Sequence, residues 1–88
     1  MSRTKFTHAD ETFRGLLREI RERKGLSQKA VAVRLGLPQS YISKYELGER
    51  RLDFVETMVV CEALGTNLDS FLRLYLRRSV RPGKTAKA

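Results

Sequence analysis

Four side chains carry the clearest chemistry in this chain: Gln39, Ser40, Ser43 and Lys44. At 100° per residue they share one face of the stretch from Gln39 to Leu47, together with Leu47 itself. Tyr41, Ile42 and Tyr45 fall on the opposite face. A row of donors and acceptors on short or medium stems recognises a partner by hydrogen bonding and makes or breaks no covalent bond. The means of catalysis are missing elsewhere. Ser27, Ser40 and Ser43 have no histidine to serve them, because His8 is the single histidine of the sequence. No carboxylate dyad, phosphate loop or metal-ligand set is present, so no enzyme, metal site or cofactor is expected.

The elements that must hold this face can be read from helical spacing and stop signals. Thr7 and Asp10 have capping-box spacing, and Phe13, Leu16, Leu17 and Ile20 then recur at helical intervals until Gly25. Ser27 is a suitable N-cap for a second, short helix with Val31, Ala32 and Leu35 inward, stopped by Gly36. Only Leu37 and Pro38 precede the third helix, which Gly48 ends. Asp53 and Glu56 repeat the capping-box spacing and open a fourth helix. Its expected core side is Phe54, Met58, Cys61 and Leu64, and its stop is Gly65. Thr66 or Asn67 caps a fifth helix with Leu68, Phe71, Leu72 and Tyr75 inward. No strand pattern of alternating β-branched residues is present. The expected fold class is all-α, five short helices.

Eighty-eight residues and 10.1 kDa accommodate one small domain and no second core. The expected organisation is a loose N-terminus over 1–7, the helical domain over 8–76 and a flexible basic tail over 77–88. Eighteen Lys and Arg against ten Asp and Glu give a net charge of +8 and a pI near 10.3. The excess points to a polyanion, nucleic acid before an anionic membrane surface. It is uneven: residues 53–72 hold four acidic and no basic side chains, while residues 73–88 hold six basic and none acidic. The positive partner-reading surface therefore belongs to the first half or the tail. The longest apolar stretches are four residues, as in Met58 to Cys61, too short for a membrane span or signal core. A single cysteine excludes an internal disulfide. A cytoplasmic location without membrane contact is expected.

Taken in order, the motifs resemble a known family. Leu26-Ser27-Gln28, Ala32, Leu35-Gly36-Leu37, Ile42-Ser43, Tyr45-Glu46, Gly48, Arg50 and Ala63-Leu64-Gly65 are similar to the lambda-repressor/Cro-like helix-turn-helix family, also called XRE. The resemblance covers roughly residues 10–76. It implies a five-helix lambda-repressor-like DNA-binding domain whose second and third helices form the helix-turn-helix. It also implies that Gln28 contacts phosphate and that Gln39, Ser40, Ser43 and Lys44 read base edges in the major groove. Glutamine pairs with adenine and lysine with guanine O6/N7. An ion pair between Arg21 and Glu46 would fasten the third helix to the scaffold. Arg50 and Arg51, in the loop beyond, are placed for phosphate or an adjacent minor groove.

Two positions depart from the family pattern: Pro38 replaces the usual Ser or Thr cap, and Val33 is apolar on an outward side. Other features have two readings each. Leu74, Tyr75 and Leu76 cannot all turn inward, so they form either a frayed end or a homodimer contact. The tail is a nonspecific phosphate arm or a solvated end. Most of the charge on the first helix reads as a solvated face with i,i+4 pairs, and Cys61 as a buried thiol. The leading function is a sequence-specific double-stranded DNA-binding regulator, a repressor acting as a homodimer. The alternatives are the antitoxin of a toxin–antitoxin pair, or an interaction module that bridges transcription machinery without strong base preference.

Overall fold

A computed structural model describes residues 7–79 of the chain. Five helices follow one another: α1 (Thr7–Arg23), α2 (Gln28–Leu35), α3 (Gln39–Leu47), α4 (Phe54–Ala63) and α5 (Leu68–Ser79). No strand is present among the described residues. Thr7 belongs to α1, and Arg77 and Arg78 continue α5 beyond the expected limit at 76. The rest of the expected N-terminal segment and tail lies outside the described residues.

Local sequence sets these boundaries. Ser27 caps α2, its Oγ accepting the Ala30 N–H at 3.0 Å. Asp53 and Glu56 form the full capping box of α4: Asp53 Oδ1 accepts the Glu56 N–H at 2.7 Å, and Glu56 Oε1 accepts the Asp53 N–H at 2.9 Å. At α5 the cap is Asn67 rather than Thr66, with its Oδ1 accepting the Ser70 N–H at 2.8 Å. Pro38 occupies the N-cap of α3 with extended backbone and no side-chain cap, one position before the first turn where proline is most at home.

The turn between α2 and α3 depends on Gly36. Its φ of +70° lets the Gly36 N–H reach Val33 O at 3.1 Å while the Leu37 N–H reaches Ala32 O at 3.0 Å. Those two bonds satisfy carbonyls that the helix end would otherwise orphan, and they reverse the chain at once. Ala32, only 3% exposed, leaves room for the two helices to cross closely.

The core draws on all five helices. Leu16, Leu17 and Ile20 of α1 meet Val31 and Ala32 of α2, Ile42 and Tyr45 of α3, Val60 and Cys61 of α4, Leu64 just after it, and Phe71 of α5. Each fully buried aliphatic side chain stabilises by about 1.5–3 kcal/mol. α3 packs against α1 and α2, leaving its Gln39–Leu47 outer side uncovered. Phe13, Phe71 and Tyr75 join α1 to α5 by ring contacts, Phe13 edge-on to Phe71 at 5.6 Å.

Two expected core positions are corrected. Phe54 is 68% exposed and Leu72 47% exposed. The buried stripe of α4 is Thr57, Val60, Cys61 and Leu64, so Phe54 lies one turn beyond the edge of the core. Its side chain lines a groove with residues from the start of α1 and the side of α5. On α5 the stripe runs Leu68, Phe71 and Tyr75 with Leu74 partly covered, and Leu72 falls on its flank.

Candidate nucleic-acid interface

Ile42 and Tyr45, 0% and 2% exposed, plug α3 into the core and thereby fix which of its sides is outermost. Gln39, Ser40 and Lys44 are exposed there and Ser43 is half-buried, with Leu47 at 63% completing the surface. The four residues expected to act together therefore share one uncovered face.

That face is braced from behind by a continuous set of polar contacts. Arg21 of α1, 9% exposed, donates through Nε to Glu46 Oε2 at 2.7 Å and through Nη2 to Glu46 Oε1 at 3.1 Å. Its Nη1 donates to Leu26 O at 2.8 Å, tying down the loop before α2. Gln28 donates to Glu46 Oε1 at 2.9 Å, and Gln39 donates to Gln28 Oε1 at 3.2 Å. Arginine's planar fork suits this bidentate geometry. Gln28 is thus committed to Glu46 and Gln39 within the chain, and the side chain of Gln39 is anchored at its amide nitrogen.

Further basic side chains close helix ends. Arg14 donates to Glu46 O at 3.1 Å, one of the last carbonyls of α3, and pairs with Asp10 at 3.3 Å. Lys24 and Arg34 donate to Gly65 O at 3.0 Å and Ala63 O at 2.8 Å, at the end of α4. Cations there complement the partial negative charge of the helix terminus. Sequence periodicity reads Arg14 and Lys24 as members of a solvated face. Their partners lie 32 and 41 positions away, which no local spacing reveals. The i,i+4 pairs Arg18–Glu22 and Arg23–Glu19 match the expected pattern.

Of the two loop arginines, Arg50 is engaged within the chain and Arg51 has no ion pair among the described residues. Arg50 Nη2 donates to Glu56 Oε2, and its Cζ stands 4.9 Å from the centre of the Tyr41 ring. The Asp53 backbone N–H, and after it Arg50, hold the Glu56 carboxyl below the usual carboxylate range. Arg51 lies at the rim of a groove of about 440 Å³ between the starts of α1 and α4 and the side of α5. Between α5 and α1, Arg78 forms a bidentate pair with Glu19, both distances 3.0 Å. Leu74 and Tyr75 are partly buried, with Tyr75 Oη donating to Ala9 O at 3.1 Å, while Leu76 is 48% exposed.

A polar-faced, rigidly braced second helix behind a glycine turn defines the helix-turn-helix class of DNA-binding regulators. The chain belongs to that family, in its lambda-repressor/Cro-like (XRE) form: the model described as "Helix-turn-helix" matches residues 17–71. An XRE-family like protein from Pseudomonas syringae pv. tomato str. DC3000 is 38% identical, with a TM-score of 0.77 over 86% of this chain and 90% of that one. The wild-type restriction-modification controller protein C.Esp1396I superposes with a TM-score of 0.77 at 20% identity, over 84% of this chain and 95% of that one. At that identity the likeness concerns the fold. No curated protein matches the chain. Among the described residues, no helix is long and apolar enough to cross a membrane.

Proposed function

We propose that this chain is a sequence-specific double-stranded DNA-binding transcriptional regulator of bacterial or phage type. It inserts α3 into the major groove, where Gln39, Ser40, Ser43 and Lys44 meet base edges. Gln28 and Arg51 meet backbone phosphates, Arg50 stands beside them with its guanidinium on Glu56, and occupancy of a promoter represses transcription in the cytoplasm. The observation that carries this reading is the uncovered polar face of α3, held in place from behind by the Arg21–Glu46–Gln28–Gln39 contacts. A groove about 12 Å wide admits one helix so presented.

A homodimer accompanies this reading, because one module of this size makes few base contacts. Support comes from the apolar groove whose rim is Phe54 and Leu72, with Leu76 exposed nearby along α5. Of the three residues expected at a dimer contact, Leu76 is the one with exposed surface to offer. A second reading, a protein partner such as a toxin or the transcription machinery, draws on a separate exposed apolar set: Val33, Leu37, Val55 and Val59.

The test is binding by single variants. Gln39→Ala and Lys44→Ala should each relax preference at one base pair, by about 1–3 kcal/mol of discrimination. Arg51→Ala should weaken binding to all sequences alike and flatten the salt dependence. Retention of full preference by both Gln39→Ala and Lys44→Ala would remove α3 from the groove.

A further inference from the structure

We infer that Glu56 acts as an internal stand-in for phosphate at Arg50, lowering the affinity of the chain for DNA of every sequence by a common factor. This rests on the DNA-binding reading above and assigns to that interface a residue that makes no contact with DNA itself.

Arg50 is held by both neighbouring helices. Its guanidinium lies against the Tyr41 ring of α3 and donates to the Glu56 carboxylate of α4. Tyr41 precedes Lys44 by three positions, so their side chains are neighbours on the helix surface. Arg50 therefore lies along the rim of the polar face, where a flanking phosphate would pass. Lys44 at the same rim and Arg51 next in the loop have no ion-pair partner among the described residues.

The cap of α4 holds the Glu56 side chain towards Arg50. Its Oε1 accepts the Asp53 N–H at 2.9 Å, and its own N–H is held by Asp53 Oδ1 at 2.7 Å. One carboxylate oxygen is thus fixed by the cap of α4, and the other is presented to Arg50. A phosphate approaching Arg50 must either displace this carboxylate or lie beside it as a like charge. Both cost free energy, and the cost is the same for every DNA sequence because phosphates carry no sequence information. Base contacts from Gln39, Ser43 and Lys44 do not involve Glu56. The device weakens binding to every sequence by a common factor while leaving base reading intact, so it sets how tightly the chain holds DNA and leaves the ratio of specific to random binding unchanged.

The experiment is a double-mutant cycle with Glu56→Gln and Arg50→Ala, measured on random-sequence duplex DNA over a range of salt. Glutamine keeps an oxygen for the Asp53 N–H and removes the charge. Glu56→Gln should tighten random binding by about threefold or more near physiological salt, and steepen the log–log salt slope by about 0.9, the share of one added phosphate contact. The gain should vanish in the Arg50→Ala/Glu56→Gln protein. Unchanged or weaker random binding by a folded Glu56→Gln protein, or a gain that survives loss of Arg50, overturns the inference. Should Glu56→Gln fail to fold, the arginines decide: with native Glu56 present, Arg50→Ala must cost less random binding than Arg51→Ala, and an equal or greater cost overturns it. If the native chain binds no duplex DNA even at low salt, the DNA-binding reading fails along with the inference. Binding by the native chain with no effect of Glu56→Gln removes the inference alone.

Discussion

Arg21 and Glu46, twenty-five positions apart, form a bidentate ion pair of 2.7 and 3.1 Å that joins α1 to α3 behind its polar face. The side chains are only 11% and 4% exposed. Removing one partner of such a pair strands the other as a buried charge. Arg21→Met should therefore destabilise the chain by about 3 kcal/mol, while replacing both residues with apolar ones should cost clearly less than the two single losses combined. Denaturant unfolding of the three variants checks this. A loss below about 0.5 kcal/mol for Arg21→Met would match an exposed surface pair and contradict the bracing role.

Gly48 ends α3 at a φ of +85°, and a Cβ there would approach the Arg14 guanidinium to 2.8 Å. Gly36 has a similar φ, +70°, but open space around it. Alanine at either position meets a left-handed backbone cost of about 1–2 kcal/mol. Gly48→Ala must in addition push Arg14 from the Glu46 carbonyl. Gly48→Ala should accordingly lower the melting temperature more than Gly36→Ala. The reverse order would mean that the Arg14 contact contributes nothing to the end of α3.

Cys61 is fully buried, and burial pushes its thiol up to about 11 from an ordinary value of 9.0. The folded chain thus holds this proton more tightly than the unfolded chain. The resulting stability is complete below about pH 9 and is lost as pH rises through 11. A thiol reagent at pH 8 should leave the native protein unmodified and label it after denaturation. Rapid labelling of the native chain would contradict the burial.

Leu72 and Phe54 flank the apolar groove beside α5, 47% and 68% exposed. If a second copy covers this groove, Leu72→Asp should shift the protein to monomer in sedimentation at about 100 μM without loss of helix content. A native chain that stays monomeric at that concentration, alone and on DNA, excludes the dimer.

Much of the fold was legible because the signals are local. Ser27, Asp53 with Glu56, Gly36 and Gly48 mark helix ends through the hydrogen bonds of their own immediate neighbours. Ile42 and Tyr45 likewise oriented α3, which put Gln39, Ser40 and Lys44 outward. The α4 and α5 faces were harder. Phe54, Val55, Met58, Val59 and Val60 surround α4 with apolar groups, so periodicity alone could not tell the core stripe from its flanks. The long-range polar contacts carry no local signal at all. Gln28 meeting Glu46, Arg14 meeting the Glu46 carbonyl and Arg34 meeting Ala63 O depend on how helices cross. The motif resemblance reached Arg21 and Glu46, and nothing in the sequence marked the pairing of Glu56 with Arg50 beyond its cap.

If α3 reads base sequence, selection of binding sites from randomised duplex DNA near physiological salt will reveal it. The expected result is enrichment of a two-fold-symmetric motif with half-sites about one helical turn apart, lost selectively in the Gln39→Ala protein. No enrichment from the folded, DNA-bound protein would contradict it, leaving the outer face of α3 a solvated surface.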